Sequence, residues 1–288
     1  MKKRLALITW SGLPQGVESE RLILPYLAAA GIEMHVVDWR SPGADFRQFD
    51  LVVLRSCWDY HLRGNEFMEW LRRIAREVPV LNDLPTVLWN QDKFYLQEME
   101  RRGIEIAPTI FATGREAIGA EERSRIKQWP QIVVKPAVSA SAHETCLMDG
   151  VALPTDAELA RQMDGGPFLI QQFIPEIQTH GEISFIYIDG IFSHAVLKRP
   201  AAGDFRVQQE HGGSAEVFTP PAALLHHANQ IASTVPPVRD SLYCRIDAVA
   251  RDGRLVLMEL ELIEPELFLG LAEGAAERFA DAIMRRMR

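Results

Sequence analysis

Cysteine is scarce and odd in number: Cys57, Cys146 and Cys244 are the only three in 288 residues, and none sits at a metal-binding spacing. That excludes a disulfide framework and a thiolate zinc site, and it fits a reducing, cytoplasmic setting. Positive charge is not in excess either. Lys and Arg total 31 against 39 Asp and Glu, a net charge of −8 without long runs of one sign. Nucleic acid and anionic membrane surfaces are therefore poor candidates for the main partner. No apolar run approaches the ~18 residues that cross a bilayer. Met1 to Trp10 opens basic and then apolar, like a secretory start, but its apolar core is short and a turn-rich segment follows. It reads as a first strand. Repeats and low-complexity segments are lacking too, while the 47% hydrophobic content suffices for two or three lobes with real cores.

What is present begins as an alternation of strand and helix. Strands are expected at Arg4 to Thr9, Glu33 to Asp38, Leu51 to Arg55 and Pro79 to Leu81, and helices at Glu18 to Ala30 and Asn65 to Glu77. Near-continuous apolar strands between amphipathic helices imply a parallel sheet covered on both faces, with ligands at the carboxyl ends of its strands. One such end is Arg55-Ser-Cys-Trp-Asp-Tyr-His61. Arg55 could hold a carboxylate while Trp58 and Tyr60 wall a pocket, and Arg55, Trp58 and Asp59 are the candidates for substrate recognition; a loop with buried aromatics is the plain alternative. Cys57 reads as a small buried filler.

The chain's organising stretch is Leu255-Val-Leu-Met-Glu-Leu-Glu-Leu-Ile-Glu264. It alternates like a strand, so Glu259 and Glu261 share a face about 6.5–7 Å apart. Tyr243 to Ala250 reads as its partner strand, joined through Arg251-Asp-Gly253. A three-residue loop with Gly253 left-handed puts Asp247 on the face of Glu259 and Glu261; a two-residue Asp-Gly loop puts it on the other. Three acids on one face call for a cation, and oxygen-only ligands favour magnesium over zinc. A solvated strand face is the alternative.

Two lysines look out of place. Lys93 follows Asn90, the expected N-cap of a helix running to Arg102, where its charge opposes the helix dipole. Lys135 ends the apolar strand Gln131 to Pro136 and needs an anion to offset its burial. A small-residue loop, Ala137-Val-Ser-Ala-Ser-Ala-His-Glu144, follows without glycine, which makes it a weak phosphate cradle alone. Phe168 to Ile174 reads as a strand. From Glu182 the pattern turns antiparallel, with a hairpin at Asp189-Gly190 ending at Lys198, then Arg206 beyond a short link. Helices are expected at Pro221 to Thr234 and Leu271 to Arg288. His143, His194 and His211 are read as packed or solvated residues.

Taken in order, Lys93, Val-Val-Lys135-Pro, Ile-Gln-Gln-Phe-Ile-Pro175, Gly181-Glu182, Asp247 and Glu259-Leu-Glu261 resemble the ATP-grasp superfamily in its glutathione-synthetase and RimK-like branch. Leu54 to His61, Ser193 to Lys198 and Glu259 to Pro265 are similar to the cyclo-ligase of D-cycloserine biosynthesis and its relatives. The resemblance implies an α/β fold with α+β lobes: an N-terminal parallel domain over 1–85, then two lobes, 86–174 and 175–288, that clasp ATP. It implies an ATP- and Mg2+-dependent carboxylate–amine ligase working through an acyl phosphate on a small amino-acid-like substrate, an intramolecular cyclo-ligase being one form. Lys93 and Lys135 would bind the phosphates, Gln172 and Ile174 the adenine through their main chains, and Glu182 the ribose. Asp247, Glu259 and Glu261 would carry two Mg2+ ions, replaceable by Mn2+. Lys198 and Arg206 would stabilise the transferred phosphoryl group. A homodimer is compatible. Two departures stand out: the glycine-poor Ser139–Ala142 loop, and Ser184 where glutathione synthetases usually carry an arginine. An ATP-binding module without turnover and a metal-dependent hydrolase are the rival readings.

Overall fold

The computed structural model describes residues 2–114, 116–140, 142–207 and 211–288. β1 (Lys3–Thr9), β2 (Ile32–Asp38), β3 (Leu51–Ser56) and β4 (Val80–Leu81) form a parallel sheet in the order β2-β1-β3-β4. β3 is buried throughout because both faces are covered, as its unbroken apolar run requires. The expected first helix is split: a 3-10 turn over Glu18–Ile23 precedes α1 (Leu24–Ala29), which starts where Pro25 is tolerated. α2 (Gly64–Ile74) buries Phe67 and Leu71 against Ala6, Ile8, Val52 and Leu54.

The chain then passes through α3 (Leu84–Asn90) and α4 (Tyr95–Arg101). Next come β5 (Thr109–Ala112), α5 (Ala120–Ile126), β6 (Gln131–Pro136), β7 (Cys146–Asp149), α6 (Asp156–Gln162) and β8 (Phe168–Gln172). Their sheet, ordered β5-β8-β6-β7, is antiparallel. Antiparallel pairing thus begins well before Glu182, where the sequence pattern put it. β5 and β7, four residues each, are too short to show a period of their own.

A third sheet, β11-β10-β9-β12-β13, is also antiparallel. It is built from β9 (Glu182–Ile188), β10 (Ile191–Arg199), β11 (Ser214–Phe218), β12 (Tyr243–Arg251) and β13 (Arg254–Glu261). Around it lie α7 (Glu176–Thr179), α8 (Ala222–Thr234), α9 (Pro236–Asp240) and α10 (Ala275–Arg286). α10 joins the two ends of the chain: Phe279 and Ile283 share one core with Leu5 and Leu7 of the parallel sheet and with Ile186 and Val196 of the third.

The turn between β12 and β13 has two residues, not three, with Asp252 and Gly253 both left-handed and Arg251 paired to Arg254. Taken alone, that turn puts Asp247 on the wrong face. A bulge corrects it. Ala248 pairs with Leu257 but Asp247 pairs with Glu259, so Met258 is the extra residue and every pairing beyond it shifts by one. Asp247 therefore does stand beside Glu259, for a different reason from the expected one.

β13 is an edge strand whose outer rim is closed by a backbone bridge, Leu257 N–H to the Glu105 carbonyl at 2.8 Å, and beyond it by side chains. Tyr95 Oη donates to the Leu260 carbonyl at 3.0 Å and accepts from the Leu260 N–H at 2.8 Å. Asn90 Nδ2 donates to the same carbonyl at 2.8 Å, and its Oδ1 accepts from Leu262 N–H at 2.9 Å. Asn82 reaches the Leu262 carbonyl at 2.7 Å. The unpaired backbone groups are thus satisfied and further strand addition is blocked.

Candidate active site

One cleft of about 280 Å³ lies where the three sheets meet. The bulge places the acidic row on it. Arg245 faces Glu261 across β12 and β13, Asp247 faces Glu259, and Ser184 and Glu182 of β9 continue the face to Lys198 of β10. Lys198 Nζ meets Glu182 at 2.5 Å and Asp247 at 3.0 Å, with all three side chains nearly buried. Ser184 donates its hydroxyl to Asp247 at 2.5 Å. Gly181, left-handed, lets β9 begin against β10, since a Cβ there would stand 2.5 Å from the Lys198 carbonyl oxygen.

Lys93 reaches the same cleft from the opposite side. It does not sit in a helical first turn: α3 ends at Asn90, α4 begins at Tyr95, and Lys93 lies in the link between them. Asn90 is no N-cap because its amide is spent on the β13 rim. The Lys93 N–H donates to the Ala137 carbonyl at 2.9 Å. Its Nζ donates to the Ser139 carbonyl at 2.6 Å and pairs with Glu259 at 3.1 Å. The glycine-poor loop is therefore pinned to Lys93, and Ala142 within it is left-handed at φ 54°. Ser141 of that loop lies outside the described residues. Lys135 lines the cleft, and among the described residues it has no ion-pair partner.

These charges set one another. Burial pushes the Lys135 ammonium down from its ordinary value. Lys198 is equally buried, yet Asp247 and Glu182 hold it above its ordinary value. Burial works to raise Asp247, but Arg245 and then Lys198 overcome it and hold the carboxyl well below the usual range. Glu261 shares the Arg245 guanidinium and goes the other way: burial first, then Asp247 and Glu259, push it up to about 8. We read Asp247 as ionised, because it faces two cations while Glu261 faces one.

The acids do not yet converge. Among the described residues no three His, Cys, Asp or Glu side chains are grouped to hold a metal ion, because each carboxylate is turned to a cation. The donor set nonetheless suits Mg2+: oxygen only, with Asp247 and Glu259 directly opposed on one face. The nucleotide side fits as well. Gln172 and Ile174 line the cleft beside Val133, Ile177 and Met258. Gln172 donates its N–H to the Pro108 carbonyl at 2.9 Å, and Pro108 has no N–H to return, so the Gln172 carbonyl is left without a strand partner.

Arg206 lines the cleft with its guanidinium held by Asp204, Nη2 to Oδ2 at 2.8 Å. Of the three substrate candidates on the parallel sheet, only Trp58 lines it. Arg55 is 1% exposed, donating to Glu20 at 2.7 Å and to the Pro265 carbonyl at 2.7 Å, with its guanidinium over the Tyr243 ring. Asp59 is buried, accepting from Trp39 Nε1 at 2.8 Å. Neither lines the cleft: both are buried away from it and engaged by internal partners, Arg55 through Nε and Nη2 with Nη1 left over, which corrects the expectation that they meet a ligand there. Cys57 is fully buried and His194 is tied to the Leu267 carbonyl, so neither faces the cleft. Tyr60, expected beside Trp58 as a pocket wall, lines it too; the sequence reading missed Arg245 and Glu264, which also do. For Arg245 a signal existed: two residues from Asp247, it shares that strand face.

Comparison with known proteins agrees with this geometry. Residues 5–82 match the family described as D-cycloserine synthetase DcsG, N-terminal domain, and residues 92–249 match prokaryotic glutathione synthetase, ATP-grasp domain. The cycloserine biosynthesis protein DcsG of Streptomyces lavendulae is 28% identical over 92% of this chain and 93% of its own. A glutathione synthetase of Bradyrhizobium diazoefficiens is 28% identical over 70% of this chain and 62% of its own. The crystal structure of D-cycloserine synthetase DcsG superposes with a TM-score of 0.82 at 24% identity, covering 99% of this chain and 100% of that one. D-alanine–D-alanine ligase from Bacillus anthracis complexed with ATP gives 0.66 at 18%, covering 99% of this chain and 97% of that one. With more than half of its length matched by one domain family, on a fold shared end to end with these structures, the chain belongs to the ATP-grasp family of prokaryotic glutathione synthetases.

Proposed function

We propose that this protein is an ATP- and Mg2+-dependent carboxylate–amine ligase that activates a small amino-acid-like substrate as an acyl phosphate; ring closure within one molecule is one form of the reaction. The observation that carries this reading is the meeting of Lys93 and Lys135 with Asp247, Glu259 and Glu261 in a single cleft. DcsG and the glutathione synthetases, which are similar along most of the chain, support the same chemistry.

Phosphoryl transfer asks the protein for position and charge more than for covalent help. Lys135, without an ion-pair partner among the described residues, and Lys93 hold the phosphates. The Gln172 carbonyl and Ile174 main chain hold adenine, and Glu182 the ribose. Asp247, Glu259 and Glu261 would hold Mg2+, two ions in the fullest arrangement and replaceable by Mn2+, which would supply positive charge against the phosphate oxygens. A substrate carboxylate attacks the γ-phosphoryl group in line; Lys198 and Arg206 stabilise the group in flight, and a nitrogen nucleophile then displaces phosphate from the acyl carbon. The loop pinned by Lys93 keeps water from the acyl phosphate. The chain is divided into domains at 1–85, 86–174 and 175–288, a reading supported by the occurrence of one sheet within each range.

The test is ADP release coupled to hydroxamate formation when ATP, Mg2+ and hydroxylamine are supplied with a panel of small D- and L-amino acids. Equal yields of ADP and hydroxamate are expected, lost in K93M and K135M. A binding module without turnover gives neither product. A metal-dependent hydrolase is indifferent to both lysine changes.

A further inference from the structure

Six carboxylates line the cleft, and five have partners: Glu182 and Asp247 on Lys198, Glu259 on Lys93, Glu261 on Arg245, and Glu266 on the Ser19 hydroxyl and the Phe268 N–H. Glu264 is the exception. It is 9% exposed, and among the described residues no cation pairs with it and no other side chain donates to it. Its only hydrogen bond to the carboxyl comes from its own N–H. A carboxylate in that position is left short of donors unless a ligand brings them.

The surroundings define that ligand. Trp58 is fixed there by donating Nε1 to the Glu264 carbonyl at 2.9 Å, and Tyr60 and Phe268 line the cleft with it. Aromatic faces around a buried acid favour a cation or a group rich in N–H donors and disfavour an anion. Lys93 acts on the Glu264 carboxyl from across the same cleft without pairing with it, because its ammonium is engaged by Glu259 and the Ser139 carbonyl.

We propose that Glu264, in the cleft it lines with Trp58, Tyr60 and Phe268, binds the amine substrate as an ammonium group and accepts one proton from it, so that the freed amine attacks the acyl carbon and phosphate leaves with the second proton. The inference deepens the ligase reading and rests on it. Burial, with Glu259 adding to it and Lys93 opposing, pushes the Glu264 carboxyl up to about 7, and a bound ammonium would draw it back to the ionised form.

The experiment uses methylammonium as the probe, with its affinity measured by ligand-observed NMR on the full chain, with and without AMPPNP and Mg2+. Wild type is expected to bind it saturably. E264Q, the same shape without the charge, should weaken binding about tenfold, the loss of one charge-assisted hydrogen bond. E264D should recover part of it, and AMPPNP affinity in E264Q should stay within about twofold of wild type, which reports that the cleft is still folded. Unsaturable methylammonium binding in wild type, or equal binding in E264Q, overturns the subsite. Failure of wild type to bind AMPPNP overturns the ligase reading instead, and the methylammonium comparison then decides the subsite by itself.

Discussion

Two lysines in one cleft should respond in opposite ways to the same substitution. Lys198 is a buried cation held by two buried carboxylates, its side chain 7% exposed beside Asp247 at 4% and Glu182 at 12%. Replacing it with Met leaves Glu182 buried without its cation and Asp247 with Arg245 alone, a change worth about 3–5 kcal/mol of folding stability. Lys135 has the opposite history. Among the described residues it has no ion pair, and burial depresses its ammonium, so in the nucleotide-free protein its charge opposes folding. K135M should therefore keep or raise the melting temperature while K198M lowers it by several degrees, at about 2–4 °C per kcal/mol. Nucleotide binding reverses the comparison for Lys135. Loss of one charge-assisted bond to phosphate costs about 1.5–3 kcal/mol, about 10- to 150-fold in ATP affinity. The linkage sign agrees: a lysine whose folded value lies below its unfolded one gains stability as pH rises between the two, and K135M should lack that gain. Thermal melts across pH, with calorimetric ATP titrations of both variants, make the measurement. K135M melting as low as K198M, or binding ATP as well as wild type, refutes the reasoning.

R55M should be a stability variant and not a substrate variant. Glu20, 3% exposed, loses its only cation, at about 3–5 kcal/mol, while the KM for the carboxylate substrate of the folded fraction stays put; a raised KM with unchanged melting would restore Arg55 to the site. N90A should cost about 1–3 kcal/mol by freeing the Leu262 N–H and one bond to the Leu260 carbonyl, read as a shifted urea midpoint at constant slope. For Glu261, a folded value near 8 above the unfolded one means its contribution is full below the usual carboxylate range and lost as pH rises through about 8. The nucleotide-free protein should melt progressively lower across that window, and E261Q should flatten the decline; parallel profiles would count against the assignment.

Much of this was written in local pattern. The unbroken apolar runs at β1 and β3 specify a doubly covered parallel sheet, and Asp189-Gly190 specifies a tight hairpin, because both signals arise within a few residues, whereas the loop length at Asp252-Gly253 was read as three and is two. The alternation of Glu259 and Glu261 fixes which acids share a face, and the order of lysines and acids along the chain was enough to suggest the family. What the sequence could not settle were quantities that depend on distant partners. Arg55 looked like a ligand-binding cation until folding brought Glu20 and the Pro265 carbonyl onto it. Asn90 looked like a helix cap until the rim of β13 claimed its amide. Asp247 reached the acidic face through a bulge at Met258 that leaves no residue signature, since one extra residue in a strand is an outcome of pairing. The same holds for charge: the residue types were legible from the start, but only tertiary packing decided that, among the described residues, Lys198 would be held by two acids, Lys135 by none, and Glu264 paired with no cation.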